Sequence, residues 1–382
     1  MKKNFLALFI LLALSASIFA EDPNPIVTAV PSLSIAPDAR GGGMGDVGAA
    51  TTPDVNSQYW NPAKYVFMES ETGVSISYTP WLRKLVSDID LSYLAGYYKF
   101  DQRSAISASL RYFSLGQIIL TDQLGNEFAK AQPNEYAFDV AYSRMLSDKF
   151  SAAATLRLIY SDLNNGINSS QTGSSSEMYP GFSVAADVSA YYRTPIAVQG
   201  TEGTLGLGLN ISNIGAKISY DANATSNFIP TNLRLGGSFD YPIDNYNKIS
   251  VSLDLNKLLV PTPKLNPTAQ DIADYNNMSP LTGIFNSFSY APGGATEKLQ
   301  EIMWSVGAEY AYNNQFFVRG GYFNESQFKG NRKYFTAGAG FKLNVFQLDA
   351  SYVISTSQTN PLDQTLRFSL SFDLYGLKNL VK

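Results

Sequence analysis

The 382-residue chain contains no cysteine and no histidine. Without cysteine it has neither a disulfide nor a thiolate metal site. Without histidine it lacks the commonest general base and the commonest metal ligand, and a serine–histidine–acid triad cannot be assembled. A serine–lysine pair stays open, but the carboxylates are spread one per segment rather than clustered. Catalytic residues, a metal and a cofactor are therefore not expected. Charge is also scarce: 16% of residues are Asp, Glu, Lys or Arg, with a net charge of −4. Scattered Lys and Arg under that balance argue against nucleic-acid binding. Beyond residue 20, no apolar run approaches the roughly 20 residues that a membrane helix needs. The rest of the chain crosses a membrane as a closed barrel or not at all, since only helices and closed barrels satisfy every backbone group in lipid.

What is present begins with a secretory signal. Met1-Lys2-Lys3 is followed by an apolar run from Phe5 to Leu14 and small residues ending at Ala20, which predicts cleavage after Ala20. No cysteine follows the apolar run, so it is not a lipoprotein signal. Residues 21–70 are rich in Pro and Gly and show no sustained period of 2 or 3.6.

After that, alternation dominates. About fourteen strand-like segments centre near 72–80, 89–100, 104–119, 134–146, 149–162, 179–193, 203–213, 230–241, 247–258, 301–312, 315–325, 331–343, 345–356 and 364–375. In one of them Ile106, Ala108, Leu110 and Tyr112 share a phase opposite Ser107, Ser109 and Arg111. Tyr136, Phe138, Val140 and Tyr142 oppose Asp139, and Trp304, Val306, Ala308 and Tyr310 oppose Glu309. Every strand tested places its charges on the polar phase. The inward set mixes Arg111, Arg157, Arg234, Arg319, Lys342 and Arg367 with Asp139, Asp187, Asp254, Glu309, Asp349 and Asp373. This predicts an internal ion-pair network; a charged conduction pathway is the alternative.

Aromatic content agrees with a barrel in lipid: 24 Tyr and 23 Phe stand against three Trp. Short links at 101–103, 147–148, 244–246, 313–314 and near 344 alternate with longer ones at 80–88, 120–133, 163–178, 214–229, 259–300 and 357–363. The link at 194–202 is longer than its class predicts. The fold class read from this pattern is all-β: a 14-stranded antiparallel transmembrane barrel with both termini on the periplasmic side. A soluble sandwich would need another home for the apolar faces.

Few segments invite chemistry. Gly41-Gly42-Gly43-Met44-Gly45-Asp46 follows no strand and lacks the Gly-Lys-Ser/Thr ending of a phosphate loop, so a closely packed backbone turn is expected. The 259–300 connection holds five prolines and the apolar residues Ile284, Phe285, Phe288 and Tyr290. Such a cluster marks a partner site or a loop folded over the barrel mouth, and both readings stand. Trp81, after the first strand, gives a weaker form of the same signal. The stretch from Asn164 through Ser176 reads as a solvated polar loop.

Ser34-Ile35-Ala36-Pro37-Asp38-Ala39-Arg40-Gly41-Gly42-Gly43-Met44-Gly45-Asp46, continuing to Trp60-Asn61-Pro62-Ala63, resembles the N-terminal plug of the PorV (LptO) family. That family is an outer-membrane branch of the FadL-like barrels, found in the type IX secretion system of Bacteroidetes. The resemblance implies a signal peptide at 1–20, a periplasmic plug or hatch at 21–70 and a barrel at 71–382 with long extracellular loops, the longest at about 259–300. It implies that Asn61, Pro62 and Ala63 form the hatch motif and seat the plug. It further implies a carrier that binds the C-terminal signal domain of secreted cargo. Such a carrier collects cargo from the SprA translocon and delivers it to an attachment complex whose PorU subunit cleaves the signal. Phe372 fits the place of a terminal assembly aromatic, although the chain continues past it. The alternative function is that of a FadL-type transporter of small hydrophobic compounds, which predicts an apolar pocket in the lumen and a route through the hatch. An outer-membrane hydrolase is a third reading, hard to build without histidine.

Overall fold

The computed structural model describes residues 23–376 except 85, 87, 122–123, 166–178, 199, 222–225 and 357–361. The expected signal and most of the Ser-rich stretch lie outside the described residues. Among the described residues sixteen strands form: β1 (Thr72–Pro80), β2 (Ile89–Lys99), β3 (Ser104–Leu115), β4 (Ile118–Thr121), β5 (Glu127–Ala131), β6 (Asn134–Ser147), β7 (Phe150–Asp162) and β8 (Gly181–Val198) in the first half. The second half adds β9 (Thr201–Gly215), β10 (Asn232–Pro242), β11 (Asn247–Leu258), β12 (Ile302–Tyr312), β13 (Phe316–Asn324), β14 (Lys333–Leu343), β15 (Phe346–Ser355) and β16 (Leu366–Asp373). Fourteen of them close into one antiparallel barrel, and β4–β5 stands apart as a two-stranded hairpin. The seam pairs β1 with β16, from Gly73 opposite Asp373 to Tyr78 opposite Phe368.

The alternation becomes inside and outside. Ile106, Leu110, Phe138, Leu156, Val251 and Leu348 face outward and are exposed, whereas Ser107, Ser109, Asp139, Thr155, Ser252 and Asp349 are buried. Aromatic pairs bracket this apolar belt. Phe100–Tyr142 and Phe316–Phe341 sit near the short-turn rim. Tyr112–Tyr136–Tyr160 and Trp304–Tyr322–Phe335 sit near the opposite rim. An apolar band between two aromatic girdles is the surface that lipid requires. Among the described residues no helix is long and apolar enough to cross a membrane; the crossing elements are strands.

All connections at one rim are short. Asn313 and Asn314, both left-handed at φ 53° and 50°, turn β12 into β13, the conformation that a two-residue hairpin favours and Asn tolerates. The apparently long 194–202 link is mostly strand, since β8 runs on to Val198 and β9 begins at Thr201. The segment expected as one strand over 104–119 breaks at Gly116, whose φ of 81° diverts the chain into the β4–β5 hairpin. At the long-connection rim the 259–300 segment is not an irregular loop. It folds into helices Ala269–Asn277, Pro280–Ser289 and Gly294–Gln300.

The two ends of the described residues do not share a rim. Thr72 and Asp373 lie at the short-turn rim, as an even strand number requires. The residues before β1, however, run back through the lumen. Asn24 reaches the long-connection rim, where its amide bonds to Phe328 and its side chain to Pro263 and Glu297. The expectation that both termini lie on one side therefore fails for the described chain. Strand parity governs only the chain from Thr72 onward.

Candidate functional site

The lumen holds a compact plug. Asp38 caps a single helical turn, Ala39–Gly42, by accepting from the Gly41 amide at 2.8 Å, and it also accepts the Trp60 indole N–H at 2.6 Å. One carboxylate thus ties the glycine run to the second short helix, Ser57–Trp60. The glycines serve close approach. Gly45 has φ +75°, and a Cβ there would meet the Tyr322 backbone nitrogen at 2.7 Å; one at Gly48 would overlap the Trp60 ring. Gly208, Gly307 and Gly321 of the barrel wall likewise make room for the plug backbone at Ala49 and Met44.

Backbone groups without helical or strand partners must find others when buried, and here the barrel wall supplies them. Asp254 accepts from the Gly48 and Ala49 amides at 2.8 and 3.0 Å. Ser369 accepts from Ala39, and Thr336 from Gly45. Ser238 donates to the Ala50 carbonyl, and Asn210 to that of Trp60. The Asn61-Pro62-Ala63 triplet is held in the same way. The Asn61 amide donates at 2.9 Å to the Ala49 and Ala190 carbonyls while its oxygen accepts from Ala63. Ser143 and Ser151 donate to the Pro62 and Ala63 carbonyls. Asn61 and Ala63 are fully buried.

The inward charges form two clusters and one separate pair rather than a single network. Arg157 bridges Asp139 at 2.6 Å and Asp187 at 3.0 Å. Arg319 bridges Glu309 and Asp349, both at 2.6 Å. The plug enters the second cluster, because Arg40 joins Glu309 at 3.1 Å to Asp54 at 2.8 Å. Asp46 of the plug meets Arg367 of β16 at 3.0 Å. Five expected members depart from the pattern: Asp254 accepts from plug amides and Asp373 from Ser70 and Gly376, and the other three are basic. Lys342 is exposed at the short-turn rim. Arg111 and Arg234 make no ion pair among the described residues; their guanidinium groups lie 5.1 and 5.2 Å from the Tyr59 ring centroid, and Arg234 lies 4.6 Å from that of Trp60. Cation–π contact from β3 and β10 therefore grips the plug aromatics. The cavity left above the plug measures ≈ 80 Å³ and is lined by charged residues, Arg111, Arg157, Arg234 and Asp139 among them, and by at least as many apolar side chains, including Leu33, Leu258, Met303 and Phe323.

Above the cavity the arm ahead of the plug fills the mouth. Val30 and Leu33 pack with Ala137, Ile159, Ala185, Ile218 and Ile229. Arg111 donates to the Ser32 and Ile35 carbonyls. At the rim a buried Lys329–Glu297 pair of 2.5 Å gathers Asn24 between the helical connection and the β13–β14 link.

The helices on that rim carry the sequence-predicted partner residues. Thr268 and Asp271 form a reciprocal capping box, and Ser279 caps the next helix ahead of Pro280. Gly283 and Ser287 of Pro280–Ser289 face the protein, with Gly283 against Phe228. Leu281, Phe285 and Phe288 point away and are 61%, 72% and 53% exposed, which excludes a connection packed wholly on itself. Tyr290 is exposed at the helix end and Ile284 is half-buried. Trp81 stands apart, half-buried against the Met303–Phe323 cluster and against Leu91 and Phe113. Reasoning from alternation missed Arg40, Asp46 and Asp54, which lie in the aperiodic segment. A positive and two negative charges in a Gly- and Pro-rich stretch opposite an inward-charged barrel were the available signal.

The chain matches the family described as Type IX secretion system protein PorV over residues 19–265. No curated protein matches it. Among solved structures it resembles the toluene transporter TodX of Pseudomonas putida at 11% identity and TM-score 0.52, covering 92% of this chain and 99% of that one. A TodX deltaS2S3 mutant monoaromatic hydrocarbon channel gives the same identity and TM-score over 88% and 98%. A Pseudomonas aeruginosa FadL homologue aligns at 12% identity and TM-score 0.43 over 92% and 99%. At these identities the likeness concerns the fold alone, a closed β-barrel such as that of TodX. The chain belongs to the PorV family of the type IX secretion system.

Proposed function

We propose that this barrel is a carrier for proteins leaving by type IX secretion. It binds the C-terminal signal domain of cargo at the long-connection rim, which faces outward, while the short turns and Asp373 face the periplasm. It collects cargo from the SprA translocon and hands it to the attachment complex containing PorU. The observation that carries the reading is a lumen filled by its own plug beneath a helix whose apolar stripe is free: Leu281, Phe285 and Phe288. A contiguous exposed apolar patch in a protein with its own packed interior marks an interaction site. The test is capture of a purified cargo signal domain by the detergent-solubilised barrel. Phe285→Ser combined with Phe288→Ser weakens capture and leaves the barrel folded; unchanged capture removes the helix from the site.

The second reading, transport of small hydrophobic compounds, is favoured by the fold shared with TodX. The lumen weighs against it. An apolar cavity of about 150 Å³ is the size that admits benzene, whereas this one is ≈ 80 Å³ and sets four arginines among its apolar side chains.

A further inference from the structure

The cavity between plug and arm carries more hydrogen-bond donors than its walls use. Arg111 of β3 donates through one nitrogen, Nη1, to the Ser32 and Ile35 carbonyls. Its Nε and Nη2 have no hydrogen-bond partner among the described residues, and at 4% exposure the side chain is cut off from bulk water. Arg234 of β10 gives Nε to Asn256 Oδ1 at 2.8 Å and leaves both Nη groups without a partner among the described residues. Arg332, on the β13–β14 link, gives Nε and Nη2 to Glu325 at 2.7 and 2.9 Å and keeps Nη1. All three line the cavity beside Tyr59.

The acids of the lining are spent elsewhere. Asp139 is taken up by Arg157 and Ser109, and Asp46 by Arg367 and Tyr334. Glu135 and Asp254 act on Arg111 and Arg234 through the wall. They form no ion pair with them, however, and accept from the Ser32 amide and from the plug amides of Gly48 and Ala49. A buried charge is ordinarily paired as well as hydrogen-bonded. For Arg111 and Arg234 the described residues supply no such pair.

Size and geometry restrict what the missing partner is. Planar guanidinium forks match the paired oxygens of carboxylate and phosphate. One water needs about 10–15 Å³ of such a cavity, so ≈ 80 Å³ takes a few waters or one small oxyanion and leaves no room for an acyl chain. Asn232, also in the lining, has a buried Oδ1 without a partner. A phosphate oxygen that carries hydrogen meets that acceptor, and fully ionised sulfate does not.

We propose that the lumen binds one small tetrahedral oxyanion of the phosphate class, held by Arg111, Arg234 and Arg332 beside Tyr59. The ion ties β3, β10 and the β13–β14 link to the plug, as a fixed part of the seal rather than a solute in transit. This role is independent of what the outer rim binds.

The experiment uses the full-length barrel, purified in detergent and chloride buffer free of phosphate and sulfate, then denatured and extracted with chloroform and methanol. Ion chromatography of the aqueous phase measures free oxyanions, and phosphorus in the organic phase measures lipid. Arg234→Gln and the milder Tyr59→Phe are treated alike, with heat-modifiable migration checking that each is folded. The expected result is aqueous phosphate stoichiometric with the native barrel, a fivefold or greater drop for Arg234→Gln and a smaller drop for Tyr59→Phe. Replacing chloride by phosphate at equal ionic strength also raises the native unfolding midpoint by more than that of Arg234→Gln. Phosphate strengthens burial in any protein, so the difference between the two chains is the readout. Native stoichiometry in both variants overturns the site, because the ion then lies elsewhere. No oxyanion in the native barrel overturns it in favour of water alone. Sulfate, or phosphorus confined to the organic phase, overturns the assignment in favour of a different anion or a lipid headgroup.

Discussion

Arg319 shows what single residues do in this lumen. Its side chain is wholly buried between Glu309 and Asp349, far from bulk water that would soften the loss of a charge. Arg319→Met leaves two buried carboxylates competing for Arg40, and removing one member of such a set costs about 3–5 kcal/mol. The expected readout is a lowered unfolding midpoint of the purified barrel in denaturant; an unchanged midpoint refutes the cluster as a stabilising unit. Asn61→Ala deletes two bonds to carbonyls and one to an amide, each buried group left unmet costing about 1–3 kcal/mol. Protease then enters the plug faster, and cells expressing the variant admit more small solutes; a fully resistant plug speaks against the triplet as its seat. Alternation showed that Arg319, Glu309 and Asp349 face inward, because each sits one residue from a lipid-facing neighbour. It did not show which acids they meet, since partners come from strands distant in sequence and from a plug without periodicity.

Strands were far easier to read than helices at the scale of elements. A wall with lipid outside and a polar plug inside imposes a period of two over ten or more residues, and it holds strand after strand. The cap helices are short, the longest being ten residues. That is too few turns for a 3.6-residue period to emerge among five prolines. Their local marks were present in Thr268 with Asp271 and in Ser279 before Pro280, the residue types that cap and open helices. The β4–β5 hairpin was hidden because Ile118–Thr121 continues the apolar character of β3 and only Gly116 signals the break. For the helix Pro280–Ser289, exposure predicts a split result. Phe285→Ser with Phe288→Ser alters barrel stability by no more than about 0.5 kcal/mol per site, as exposed substitutions do, yet weakens cargo capture. A large loss of stability instead means that the stripe packs against the molecule.

For the whole molecule, the feature that sequence could not give is the path of the first residues. Closure of β1 on β16 places Thr72 and Asp373 together, yet Asn24 sits at the other rim beside Glu297 and Lys329. An epitope inserted after Pro23 and another after Gly376 are therefore reached by antibody from opposite faces of the outer membrane. Detection of both from the same face contradicts the threaded path. Threading also gives the lumen two seals, the arm at the mouth and the plug below it. A barrel closed at both levels is suited to present a surface, and less suited to pass a solute.

The most direct test of that account is deletion of this gene in the native host while tracking proteins that carry the type IX C-terminal signal. A carrier's loss leaves them in the periplasm or at the surface with signals uncleaved, and leaves uptake of hydrophobic compounds unchanged. Normal secretion and signal cleavage, with uptake of a hydrophobic compound reduced, contradicts it and makes the barrel a small-molecule transporter.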